Sequence, residues 1–172
     1  MNQDGLEIRK MNAEDWHRVA LIYKEGMDTG NATFQQVVPQ WDDWNVSHLQ
    51  TCRLVATVNG HVVGWSALSP ISKREVYAGV AEISIYVSAR VRGFGIGAIL
   101  LEKTISESEK QNIWTLQAGI FPENLASIKM HQRLGFREVG YREKIGKMNG
   151  KWRNTILLER RSLIAGIDHE TT

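Results

Sequence analysis

Cysteine is nearly absent from this chain: Cys52 stands alone among 172 residues. An internal disulfide and a cysteine metal cluster are both excluded on that count. Cys52 precedes an apolar stretch, where a buried thiol is expected and a nucleophile is not. Long hydrophobic runs are missing as well, since neither an 18-residue apolar segment nor a signal-peptide core occurs. The chain therefore reads as cytoplasmic, with no membrane partner. Charge of one sign is also scarce: the formal net charge of +2 is too small to direct the chain to nucleic acid. Repeats, low-complexity tracts and linkers are lacking, which gives one domain over residues 1–164 and a tail, 165–172, expected to fray.

What is present is globular, with 42% hydrophobic and 23% charged residues on a chain long enough for a core. Tryptophan is plentiful at six residues, placed either in that core or along a ligand cleft. Basic residues gather late: Lys129, Arg133, Arg137, Arg142, Lys144, Lys147, Lys151 and Arg153 precede Arg160 and Arg161. This run either helps to hold an anionic cofactor or forms a solvated face.

Hydrophobic periodicity orders the elements. Leu6 to Arg9 alternates like a strand, and Trp16, Val19, Ala20 and Tyr23 share one face of a following helix. Trp41 to Gln50 gives another short helix. Leu54–Val58 and His61–Leu68 flank Asn59-Gly60, the mark of a two-residue hairpin. Ala81 to Val87 is a strand with Ala81, Ile83, Ile85 and Val87 on one side and Glu82, Ser84 and Tyr86 on the other. A helix from about Gly97, a strand over Ile113–Phe121 and a helix capped by Asn124 and ended at Gly135 follow. A second hairpin turns at Asn149-Gly150. The order β-α-α-β-β-β-α-β-α-β-β predicts a mixed-sheet α+β domain.

Arg92-Gly93-Phe94-Gly95-Ile96-Gly97-Ala98 joins the Ala81–Val87 strand to a helix. Small residues there bring backbone close to a ligand, and the first N–H groups of the helix attract phosphate. A Walker A loop would end in Gly-Lys-Ser/Thr, which Gly97-Ala98 excludes. A dinucleotide fingerprint fits the glycines but wants an acid about 20 residues on, where Trp114 to Ile120 carries none. R/Q-x-x-G-x-G/A from Arg92, the acyl-CoA pyrophosphate loop of the GNAT acetyltransferases, fits too, as does a turn with no ligand. The loop alone leaves these open.

Glu82 sits mid-strand among apolar neighbours, a costly position unless the carboxylate is solvated, paired or used. It is either a general base for an attacking amine or one half of an ion pair. Asn124 either simply caps its helix or also offers its amide to a ligand. His131, two turns further, is either a packed group or a proton donor near a leaving group.

Together these residues resemble a family. Asn124, Ser127, His131 and Gly135-Phe136 match N-x-x-[AS]-x-x-x-[YH]-x-x-x-G-F, which in GNAT enzymes follows the pyrophosphate loop at this distance. Glu82 to Ser88 and Gly146-Lys147-Met148-Asn149-Gly150-Lys151-Trp152 are similar to one branch, the phosphinothricin or methionine sulfoximine N-acetyltransferases and L-amino-acid N-acyltransferases. Asn31 to Phe34, Pro39 with Trp41 and Trp44, and Gly64 to Pro70 agree, so the resemblance runs from Leu6 to Leu163.

The resemblance implies the GNAT fold, a central mixed sheet with helices on both faces. It implies acetyl-CoA as cosubstrate without a metal, along main-chain groups of Ile85, Tyr86 and Val87 at a splayed strand. Arg92, Gly93, Phe94, Gly95, Ile96, Gly97 and Ala98 would hold the pyrophosphate, with Asn124 and Ser127 near the thiol end. Glu82 would be the base and His131 the acid. Lys73, Arg74 and Tyr77, with Phe34 across the cleft, would bind the carboxylate of a small amine acceptor. The implied activity is N-acetylation of an amino acid or amino-acid analogue in a ternary complex. Alternatives are a peptide N-terminus, lysine or polyamine as acceptor, or a non-catalytic acyl-CoA sensor. A homodimer is implied by analogy.

Overall fold

Asn59 and Gly60 both have positive φ, 49° and 78°, the geometry of the primed turn that matches strand twist. They close a hairpin between β2 (Leu54–Val58) and β3 (His61–Pro70). Asn149 and Gly150 repeat the geometry at 48° and 77° between β6 (Arg137–Met148) and β7 (Lys151–Arg161). In this computed structural model residues 5–167 are described. The remaining elements are β1 (Leu6–Lys10), α1 (Trp16–Asp28), α2 (Trp41–Ser47), β4 (Val80–Val87), α3 (Ile96–Lys110), β5 (Thr115–Ile120) and α4 (Leu125–Arg133), in the expected order.

One seven-stranded sheet runs β1-β2-β3-β4-β5-β7-β6. It is antiparallel except between β4 and β5. Alternation along β3 divides the core. Trp65 and Ala67 meet Val19 and Ile22 of α1 and Trp44 of α2 on one face. Leu68, with Ala81 and Ile83 of β4, meets Leu101 and Ile105 of α3 and Ile128 of α4 on the other. Ser66 shares that second face through a 2.6 Å hydrogen bond with Thr104 of α3. Helices therefore cover both sides of the sheet, as expected.

The short second helix stops at Ser47, earlier than the sequence pattern implies, because His48 is extended and its Nδ1 bonds the carbonyl of Trp44. Ala165 is buried, against the expectation of a frayed tail from that residue. The guanidinium of Arg161 donates to the carbonyls of Ala165 and Gly166 at 2.7 and 2.6 Å. Residues 168–172 of the expected tail lie outside the described residues. Among the described residues no helix is long and apolar enough to cross a membrane.

Candidate active site

The parallel ladder between β4 and β5 is only three residues long, joining Val80–Glu82 to Thr115–Gln117. β4 keeps its other partner, β3, as far as Val87. From Ile83 onward the edge of β4 that faces β5 is therefore unpaired, and the strands part. A cleft of about 280 Å³ occupies the wedge. Its walls are Glu82–Tyr86, Ala118–Phe121, the start of α4 and the segment 32–35.

Glu82 faces away from the α3 side, where Ala81 and Ile83 are buried, and its carboxylate opens onto the wedge. Among the described residues it forms no ion pair. Of the two roles open to it, salt-bridge partner is therefore set aside.

Beyond β4 the chain is held from two sides before it reaches the glycine loop. Glu25 of α1 accepts from the N–H of Ala89 at 2.7 Å and the hydroxyl of Ser88 at 3.3 Å. Arg92 Nε donates to the carbonyl of Val87 at 3.3 Å. Gly93 and Gly95 then take φ of 83° and 80°, a left-handed region costly for other residues. No backbone acceptor among the described residues takes the N–H groups of Gly93, Phe94, Gly95, Ile96 or Gly97. Ala98 departs from expectation: its N–H is already donated to Gly95 O at 3.0 Å, followed by that of Ile99 at 3.2 Å. A Cβ on Gly93 would meet open space, whereas one on Gly97 would lie 3.2 Å from Met130 Sδ of α4.

Asn124 is committed at both ends of its amide. Oδ1 caps α4 by accepting from Ser127 N–H at 3.3 Å, and Nδ2 donates to Asn31 O at 3.3 Å. Two turns on, His131 is only 2% exposed yet lines the cleft. Its Nδ1 lies 2.8 Å from the carbonyl of Ser127, so Nδ1 carries the proton. Burial pushes the imidazole below its ordinary value, and no protein group bonds Nε2. The ring is thus held by its Nδ1 hydrogen bond, with Nε2 buried.

Phe34 reaches the cleft as expected, packed edge-on to Phe121 at 4.8 Å. Arg153 holds this wall, lying 4.0 Å over Phe121 and donating to Gly30 O and Asn31 Oδ1 at 2.9 and 3.1 Å. Lys73, Arg74 and Tyr77 do not line the cleft. Residues 75–77 form a turn of 3-10 helix with exposed side chains, and the Arg74 guanidinium sits 5.5 Å over the Tyr77 ring. The Tyr86 side chain turns to the α1 face, stacked 4.9 Å from Trp65 and tilted against Tyr23 at 4.8 Å. Burial pushes both phenols upward, so they stay neutral. None of the six tryptophans lines the wedge.

Part of the late basic run is structural: Arg137 pairs with Glu159, Arg160 with Glu109, and Arg161 and Arg153 bind carbonyls. Glu25 and Arg153 carry no local motif, and only the tertiary fold reveals their part. Among the described residues no cluster of three His, Cys, Asp or Glu side chains is placed to hold a metal.

A split sheet, a glycine turn with free N–H groups and a carboxylate at the fork lie together along β4 and the chain that follows it. The acetyltransferase (GNAT) family profile matches residues 13–136, and the chain belongs to that family. It is 30% identical to phosphinothricin N-acetyltransferase of Streptomyces viridochromogenes over 152 residues, 86% of this chain and 82% of that protein. It is 26% identical to the L-methionine sulfoximine/L-methionine sulfone acetyltransferase of Pseudomonas aeruginosa, over 84% of this chain and 88% of that one. A crystal structure of a GNAT superfamily phosphinothricin acetyltransferase from Sinorhizobium meliloti, in complex with AcCoA, superposes with a TM-score of 0.81. That match is 26% identical and covers 91% of this chain and 88% of the other.

Proposed function

We propose that this chain transfers an acetyl group from acetyl-CoA to the α-amine of a small amino acid or amino-acid analogue of the phosphinothricin or methionine sulfoximine type. The observation that carries the reading is the unpaired β4 edge leading from Glu82 to five free N–H groups. Those groups fit the cosubstrate chemically. An extended amide chain can pair with an open strand edge, and a diphosphate suits main-chain donors at a helix start. Ile83–Val87 would hold the pantetheine arm and Gly93–Gly97 the pyrophosphate. Bound acetyl-CoA would supply the activated acyl group.

The residues of the chain then act on the acceptor. Glu82, the only ionisable carboxylate lining the cleft among the described residues, takes the proton lost as the amine nitrogen bonds the acyl carbon. The thioester C–S bond breaks in turn, and coenzyme A leaves as a thiolate that solvent protonates. His131 lines the same cleft, its ring fixed by the bond from Nδ1 to the carbonyl of Ser127. Phe34 and Phe121 give the acceptor an apolar wall and keep water from the reacting atoms. The same reading carries a cytoplasmic homodimer, which sedimentation would test.

Thiol release from acetyl-CoA tests the activity. L-phosphinothricin, L-methionine sulfoximine and free amino acids are expected to support turnover, while peptides and polyamines are not. Turnover confined to peptides or polyamines would replace the acceptor class, and binding without turnover on any amine would make the protein a sensor.

A further inference from the structure

The carboxylate of such an acceptor needs a cation, and Lys73 and Arg74 stand outside the cleft lining. Arg142 of β6 is not in that lining either, but its Nη2 reaches Gly119, which is. Arg142 lies opposite Thr155 of β7, and its Nε donates to Thr155 Oγ1 at 3.2 Å. Thr155 is itself part of the cleft wall. Directly after Arg142 the strand slips register, with Gly146 to Arg153 the next pair. Lys144 takes a positive φ of 49° in this bulge, and its N–H is held by Asn154 Oδ1 at 2.7 Å. The slip fixes where the arginine points.

Gly119 of β5 supplies the space. A Cβ there would lie 3.0 Å from Arg142 Nη2 and 3.5 Å from Glu82 Oε1. Guanidinium and carboxylate thus face each other across a bare Cα, at most about 6.5 Å apart, and form no ion pair. Among the described residues neither terminal nitrogen of Arg142 has a protein acceptor. An α-amino acid carries its amine and its carboxylate on one carbon, the complement of this gap.

We propose that Arg142 binds the acceptor's carboxylate and so presents the α-amine to Glu82, making the site selective for α-amino acids over plain amines. The proposal rests on the acetyltransferase reading of the same cleft. A guanidinium can take both carboxylate oxygens, which fixes the acceptor's direction as well as its charge. Gly119 serves this arrangement by leaving the space vacant.

The test compares kcat/KM for L-methionine sulfoximine with that for its decarboxylated amine, at saturating acetyl-CoA. The wild type is expected to favour the acid. In Arg142→Gln the acid-to-amine ratio should fall about 10- to 100-fold, through KM of the acid. Arg142→Lys, which keeps the charge without the fork, should recover part of it. An unchanged ratio in Arg142→Gln overturns the proposal while leaving the acetyltransferase reading intact. A wild type that releases thiol with neither compound overturns the reading and the proposal with it. Should Arg142→Gln fail to fold, as read by thermal melting, Gly119→Ala probes the same gap from β5. Its ratio should drop too, and an unaltered ratio there counts against Arg142.

Discussion

At one end of the proposed site the groups that would meet a ligand belong to the backbone: the free β4 edge and, beyond it, the N–H groups of Gly93 to Gly97. At the other end they are side chains, Glu82 from β4 and Arg142 from β6, meeting over Gly119 of β5. The first end depends on one contiguous run of sequence and a few φ angles. The second depends on the register of three strands. A cosubstrate common to a whole family can be held by main chain, since its backbone-facing parts never change. An acceptor that differs from one enzyme to the next is read by side chains that can be exchanged singly.

Three substitutions sharpen that contrast. Glu82→Gln should have the largest effect, lowering kcat by about 10²- to 10⁴-fold while the acetyl-CoA dissociation constant stays unchanged. Steady-state kinetics with titration calorimetry would show it, and near-normal turnover across pH would remove Glu82 from its role. Arg153→Ala should destabilise the acceptor wall by about 1–2 kcal/mol, because a ring contact and two hydrogen bonds are lost together. Denaturant melts would report the loss, and KM for the acceptor should rise more than KM for acetyl-CoA.

The smallest effect concerns pH. Burial holds His131 and His48 below the ordinary histidine value of 6.5. The unfolded chain therefore takes up protons that the folded chain refuses. Stability is full above about pH 6.5 and falls as the pH drops toward the folded values, by at most about 1.4 kcal/mol per pH unit for each ring. His131→Gln should flatten this slope between pH 7 and 5, and an identical slope would show that His131 does not contribute.

The same contrast explains what the sequence disclosed. Both Asn-Gly hairpins, the Asn124 cap, the Gly135 stop and the glycine loop are local, with residue type and φ tied within a few positions. Glu82 was visible as a charge out of place on an apolar strand. The family resemblance implies Lys73 and Arg74 at the acceptor, but both are exposed before the turn at 75–77, with the Arg74 guanidinium over the Tyr77 ring. Arg142 looked like one member of a basic run. Its place follows from the β6 slip and from the missing side chain at Gly119, neither of which has a one-dimensional signature. The proton on His131 Nδ1 was equally hidden, since it is set by the Ser127 carbonyl and by burial.

Calorimetric titration of acetyl-CoA into the wild type and Gly95→Val tests the central claim, that main-chain donors at this loop hold the diphosphate. Saturable one-site heat in the wild type, weakened at least tenfold in a still-folded variant with a side chain forced on φ of 80°, is the predicted result. No heat in the wild type, or equal affinity in the two proteins, would contradict it.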